Sequence, residues 1–308
     1  MTSREHDNPA GKPPPGGPSH ATPPNPSGQW RDGDALDPGL HQDLRGKLDY
    51  ATYLELDRVL AAQKPLSPAP AHDELLFIVM HQASELWFKL IIHELQAAIA
   101  HVSMDNLEPC FKILARVKHV QALLTQQWDV LATMTPADYA QFRPYLGPSS
   151  GFQSQQNRMI EFLLGLKDQR LLRFFDHAPK LRAELESLLT KPSLYDAFLR
   201  YLSRRGLPIP REVLTRDVSQ RYTAHEGVVE ALALVYRDPE RFWDAYEMAE
   251  KLIDVDDLYA QWRFRHYTVV ERVIGMKRGT GGSAGAAYLR DLVHERFFPE
   301  LWTLRTRL

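Results

Sequence analysis

The chain has 308 residues, of which 44% are hydrophobic, enough for a sizeable core in one large domain or two. A net charge of −2 argues against a general binder of nucleic acid or membrane surfaces. A single cysteine, Cys110, excludes internal disulfides and cysteine-rich zinc sites and fits a reducing cytosol. The N-terminus lacks the apolar core of a signal peptide, and no apolar run approaches the length needed to span a bilayer, so a cytoplasmic protein with no membrane partner is expected.

Residues 1 to 45 are rich in Pro, Gly, Ser and charge and bury too little apolar surface to offset the entropy of ordering. A disordered tail is expected there, and His6 and His20 are set aside. Leu48 to Leu60 reads as a short amphipathic helix carrying Tyr50, Tyr53 and Leu54. After the proline-rich link Pro65–Pro70, the stretch from Ala71 to about Val102 reads as a long helix with Asp73 and Glu74 in its first turn, where the helix dipole favours acids. It is apolar on nearly every face, as a buried helix is, yet holds His81, Gln82 and Glu85 at its middle. Phe77, His81 and Glu85 are four apart and share one side.

A second long helix is predicted from Leu107 to Met134. Thr135-Pro136 marks a helix start, with Thr135 as cap and proline in the first position. Tyr139 and Arg143 follow on one face, before a Gly147-Pro-Ser-Ser-Gly151 loop. Gln155 to Leu166 is helical again. Residues 168–230 read as short helices broken at Pro179, Pro192 and Pro208-Ile-Pro210, a small helical subdomain within a 46–308 domain. Pro239 to Arg278 is a long helical region with His266 near its middle. It ends in a glycine-rich run, Gly275-Met-Lys-Arg-Gly-Thr-Gly-Gly-Ser-Ala-Gly285, and a final helix spans 286–298. No β-type alternation of useful length appears, so the class is all-α.

Each histidine alone has an ordinary reading as a satisfied core residue. Two of them on long apolar helices far apart in sequence permit another, in which they face each other across a flat apolar cofactor. Haem suits an all-α scaffold, but periodicity does not say which histidine binds iron, or whether both do. A zinc or non-haem iron site from His81, Glu85, His93 and Glu94 is the metal alternative, although no His-Glu-x-x-His motif is present. The glycine run follows a helix rather than a strand, so it is no dinucleotide fingerprint. It reads as a helix terminator, or as a mobile loop closing on a ligand with Thr280 as its polar contact. Arg143 is either a surface arginine or a clamp for a substrate carboxylate.

Six stretches, in order, resemble the tryptophan 2,3-dioxygenase family: Leu48-Asp-Tyr-Ala-Thr-Tyr-Leu54, His72 to Lys89, Phe142-Arg-Pro144, Gly147 to Ser154, Phe264 to Arg272 and Ile274 to Ser283. The resemblance covers nearly everything after the tail. It implies an all-α homotetrameric haem enzyme that opens the indole ring of L-tryptophan with O₂, giving N-formyl-L-kynurenine. By the same resemblance His266 is the axial ligand of ferrous haem b, and His81 stands opposite, near the indole N–H, without ligating iron. Phe77 packs on the indole, Arg143 pairs with the substrate carboxylate, Thr280 helps hold the amino-acid end, Tyr139 lines the pocket and Ser150 sits at the haem edge. Tyr50, Tyr53 and Leu54 are implied to come from a neighbouring subunit. A broader indoleamine dioxygenase and a non-catalytic haem protein with both histidines on iron are the competing expectations.

Overall fold

The computed structural model describes residues 40, 41 and 43–308, and the rest of the expected tail lies outside them. The chain divides into two units, Met1–Val59 and Leu60–Leu308. Among the described residues the secondary structure is helical, with no strand.

In the N-terminal unit the single helix expected over Leu48–Leu60 is two pieces, α1 (Tyr50–Tyr53) and α2 (Leu56–Leu60). Asp49 caps α1, its Oδ1 accepting from the Thr52 amide at 2.7 Å. Thr52 and Tyr53 are weak helix formers, and Glu55 takes a left-handed φ of 52° that ends the first turn. Neither piece buries a residue: Tyr50 and Tyr53 are 76% and 72% exposed.

The second unit holds α3 (His72–Ser103), α4 (Glu108–Leu131), α5 (Pro136–Phe142), α6 (Gln155–Leu164), α7 (Pro179–Leu189), α8 (Leu194–Arg204), α9 (Arg211–Leu214), α10 (Glu226–Arg237), α11 (Trp243–Ile274), α12 (Ala286–Leu292) and α13 (Pro299–Leu304). The long helices α3, α4 and α11 form its frame, α4 packing against both of the others. α6 and α8 lean on α3, and α12 leans on α11. Leu95, Ala98 and Val102 of α3 meet the core with Leu114, Val117 and Leu124 of α4 and Leu252, Val255 and Val269 of α11, all nearly inaccessible to solvent. Each such leucine or valine contributes about 1.5–3 kcal/mol on burial.

Local chemistry sets the ends of these helices. Glu74, in the first turn of α3, accepts from the Leu66 amide at 2.5 Å and from the Ser67 amide and hydroxyl at 3.2 and 2.5 Å, fixing the entry from the proline link. Thr135 and Asp138 form a capping box at α5, as the Thr-Pro start predicts. Gly275, at φ 60°, ends α11.

By length and composition alone α3 is long and apolar enough to cross a membrane, contrary to the expectation that no apolar run approaches that length. Its actual neighbours are α4, α5, α6 and α8 of the same unit. The helix expected over 286–298 stops at Leu292. Phe298 precedes Pro299, which disfavours helical backbone at Phe298 and instead opens α13. The buried Asp256 holds this break in place, its Oδ2 accepting from the Phe297 and Phe298 amides and from Trp302 Nε1. Within residues 168–230, Leu172, Phe175, Leu185 and Leu189 form a small separate core with Phe162. The Lys167 ammonium closes it by donating to the Leu189 and Lys191 carbonyls. α8 and α10 belong to the main core.

Candidate active site

α3, α4, α5, α6, α11, α12 and the loops at 149–154 and 279–285 line one cleft, with about 1260 Å³ of atom-free space including the part open to solvent. Phe77, His81, Tyr139, Ser150, His266 and Thr280 all line it.

His81 projects from the middle of α3. Its Nδ1 lies 2.7 Å from the Phe77 carbonyl one turn back. A carbonyl only accepts, so Nδ1 carries the proton and Nε2 is the acceptor. Desolvation lowers the His81 pKa, against the upward pulls of the Phe77 carbonyl and Glu85, and keeps the ring neutral at physiological pH. The Phe77 ring lies 4.2 Å from the imidazole and continues into Phe142 at 5.5 Å and Tyr139 at 6.0 Å. Aromatic surface therefore meets a fixed imidazole acceptor on this wall.

His266 comes from α11. Its ring stacks on Trp128 of α4 at 4.4 Å and 12°, and Trp262, one turn earlier on α11, lies 5.5 Å away. Desolvation, with a smaller repulsion from His81, lowers its pKa to about 3. It is a neutral imidazole, the form that ligates metal. The indole N–H groups of Trp128 and Trp262, and Nε of Arg158, are buried on the cleft wall without acceptors. Orphaned buried donors are uncommon in a finished protein interior and point to a bound group bearing acceptors. Flat aromatic walls, a neutral imidazole and unsatisfied donors together fit haem. Among the described residues no three His, Cys, Asp or Glu side chains are grouped to hold a bare metal ion. His93 is exposed and Glu94 is paired with Arg116 at 2.6 Å, which removes the zinc alternative.

Arg143 stands beside Tyr139 and donates from Nη2 to the Arg278 carbonyl at 2.7 Å. Arg143 pulls down the Tyr139 phenol pKa, which desolvation raises more strongly. The Thr280 hydroxyl donates to the Ser149 carbonyl, so the glycine loop is tied to the 147–151 loop. The two loops pass so closely that a Cβ on Gly281 would come within 2.7 Å of the Ser150 Cβ. Glu85 accepts from Ser154 Oγ at 2.6 Å and Gln156 Nε2 at 2.8 Å, linking α3 to the start of α6. Tyr50, Tyr53 and Leu54 belong to the N-terminal unit, where they are exposed.

The sequence reading missed Trp128, Trp262, Arg158, Glu161 and Arg263 as lining residues. Trp128 and Trp262 passed for ordinary core positions. Trp262 lies four residues before His266 on the same helix face, a spacing that was available as a signal. Nothing along the chain distinguishes Arg158 from a surface arginine.

A helical bundle whose two 32-residue helices each present a neutral histidine to one aromatic cleft is a scaffold for a flat cofactor and a small aromatic ligand. The chain belongs to the tryptophan 2,3-dioxygenase family: the family model described as "Tryptophan 2,3-dioxygenase" matches residues 34–176 and 169–308. It is 54% identical over 273 residues to the tryptophan 2,3-dioxygenase of Myxococcus xanthus (strain DK1622), covering 89% of this chain and 94% of that protein. It is 50% identical to the enzymes of the same name from Bacillus thuringiensis (strain Al Hakam), over 89% of this chain and 97% of that protein, and Exiguobacterium sibiricum, over 90% and 99%.

Proposed function

We propose that this chain opens the pyrrole ring of L-tryptophan with O₂ across the indole C2–C3 bond to give N-formyl-L-kynurenine, with haem b in its ferrous form as cofactor. The observation that carries the reading is the His81 tautomer: a neutral ring, anchored at Nδ1, offers Nε2 as a single acceptor beside the Phe77 face, in the same cleft as His266. Indole is apolar with one N–H donor, and this wall is its complement.

His266 would hold the haem iron, and Ser150, on the same cleft, would stand beside the cofactor. Haem supplies the oxygen chemistry, and because both oxygen atoms end in the product, no external reductant is consumed per turnover. The protein's work is binding and orientation. His81 Nε2 accepts from the indole N–H and fixes the ring's rotation; an indole N–H is a very weak acid, so this contact orients the substrate without having to remove the proton. Phe77 and Tyr139 pack on the aromatic body and displace water. Arg143 retains guanidinium donors beyond the one given to Arg278 and pairs with the substrate carboxylate. Thr280 supports the amino-acid end from the loop that Arg143 tethers. Orientation of this kind converts an encounter into a positioned reaction.

The exposed Tyr50, Tyr53 and Leu54 support a homotetramer in which this segment completes a neighbour's site. Residues 46–308 are the catalytic domain, with 168–230 as its small helical part. The protein works in the cytoplasm without nucleic acid or membrane partners. The test is an anaerobic ferrous spectrum before and after L-tryptophan, followed by O₂. A five-coordinate spectrum perturbed by tryptophan, then the absorbance of N-formylkynurenine, is expected. A six-coordinate low-spin spectrum indifferent to tryptophan would overturn the reading.

A further inference from the structure

The cleft carries a buried charge imbalance that tryptophan recognition leaves unused. Arg158 and Glu161 of α6 and Arg263 of α11 line one part of the wall, with side chains only 6%, 3% and 5% exposed. Arg158 Nη1 donates to Glu161 Oε2 at 2.5 Å, and Arg263 Nη2 lies 3.5 Å from Glu161 Oε1. One carboxylate thus faces two guanidiniums. Arg263 is otherwise occupied, donating to the Glu295 carbonyl at 2.9 Å and stacking on Tyr259 and Phe297. Arg158 lies over the Phe152 ring at 5.5 Å and touches Tyr288, yet its buried Nε has no acceptor. The other carboxylate on the cleft, Glu85, takes neutral donors from Ser154 and Gln156 and is within ion-pair distance of neither arginine. Arg158 also sits near the start of α6, where the helix dipole opposes a cation. An excess buried positive charge is costly unless a counter-ion meets it.

We propose that Arg158, steadied by Glu161, is the counter-charge for a carboxylate on the group that binds in the cleft; on the haem reading above, on which this rests, that carboxylate is a haem propionate. Tyr288, which touches Arg158 on the same wall, is placed to donate to the same carboxylate. An apolar ligand alone would leave the guanidinium no better satisfied than it is now.

The test is titration of haem-depleted full-length protein with haemin and with its dimethyl ester, whose propionates are neutral, read as growth of the Soret band. The unaltered protein is expected to bind haemin roughly tenfold or more tightly than the ester, the effect of one charge-assisted bond. Arg158→Gln is expected to weaken haemin by a similar factor, leave the ester unchanged and so abolish the preference; Arg158→Lys should restore part of it. Equal affinity for the two porphyrins in the unaltered protein overturns the proposal, whether or not the glutamine variant folds. So does an undiminished preference in a folded Arg158→Gln protein. If neither porphyrin binds, the haem reading itself fails and takes this inference with it; if both bind without discrimination, the haem reading stands and only the role of Arg158 falls.

Discussion

The two walls of the cleft use the same residue type in opposite ways. On the α3 wall, His81 is pinned by its own helix: Nδ1 is committed to a backbone carbonyl and only Nε2 is available. On the α11 wall, His266 is stacked on Trp128 and flanked by Trp262. Desolvation makes both neutral. The difference shows that burial sets the protonation state, whereas the neighbours set the task. A pinned tautomer suits a fixed acceptor for a substrate N–H, and a ring stacked on one indole and flanked by another suits a ligand whose orientation is set by stacking.

The strongest way to break this contrast is His266→Ala, which should abolish stable haem content while leaving helix content intact. A normal Soret band in that variant would reverse the assignment of the walls. Next is Arg143→Ala, expected to raise KM for L-tryptophan by an amount corresponding to roughly 2–5 kcal/mol if the ion pair is desolvated; an unchanged KM would remove Arg143 from substrate binding. His81→Ala should lower kcat yet leave measurable turnover, because orientation rather than proton removal is lost. Complete inactivity with full haem would make His81 an obligatory base. Gly281→Ala should lift the glycine loop from Ser150, since its Cβ would meet Ser150 at 2.7 Å, and weaken tryptophan binding with haem retained; crystallographic superposition of the two loops would check it.

The same contrast can be sharpened by pH in the cofactor-free protein. The folded-state pKa of His266 is about 3, against an ordinary value of 6.5. The unfolded chain therefore binds more protons between these values. Stability is unaffected by this group above pH 6.5 and declines as pH falls from 6.5 toward 3, by up to about 1.4 kcal/mol per pH unit. Denaturant midpoints of wild type and His266→Phe, compared at pH 7 and 5, would resolve it. The phenylalanine variant should lose less stability on acidification.

Much of the frame was legible along the chain because it depends on local signals. The uninterrupted run from His72, the Thr135 cap and Gly275 after α11 each act within a turn or two of helix. The break at Glu55 and the split between α12 and α13 were not legible; the latter depends on Asp256, some forty residues away, gathering two amides and an indole. The site divides in the same manner. Phe77 and His81 announce themselves by spacing on one helix. Trp128 meets His266, and Arg158 and Arg263 share Glu161, only because α4, α6 and α11 converge, and no periodicity records that convergence.

The stacking of Trp128 and Trp262 around His266 also makes the protein its own optical gauge. Two of its six tryptophans lie against the ring assigned to iron. A porphyrin seated there would drain their excited states by energy transfer, so intrinsic fluorescence should fall in step with cofactor loading. The same emission, followed in a stopped-flow instrument, would time cofactor uptake and escape without any added dye.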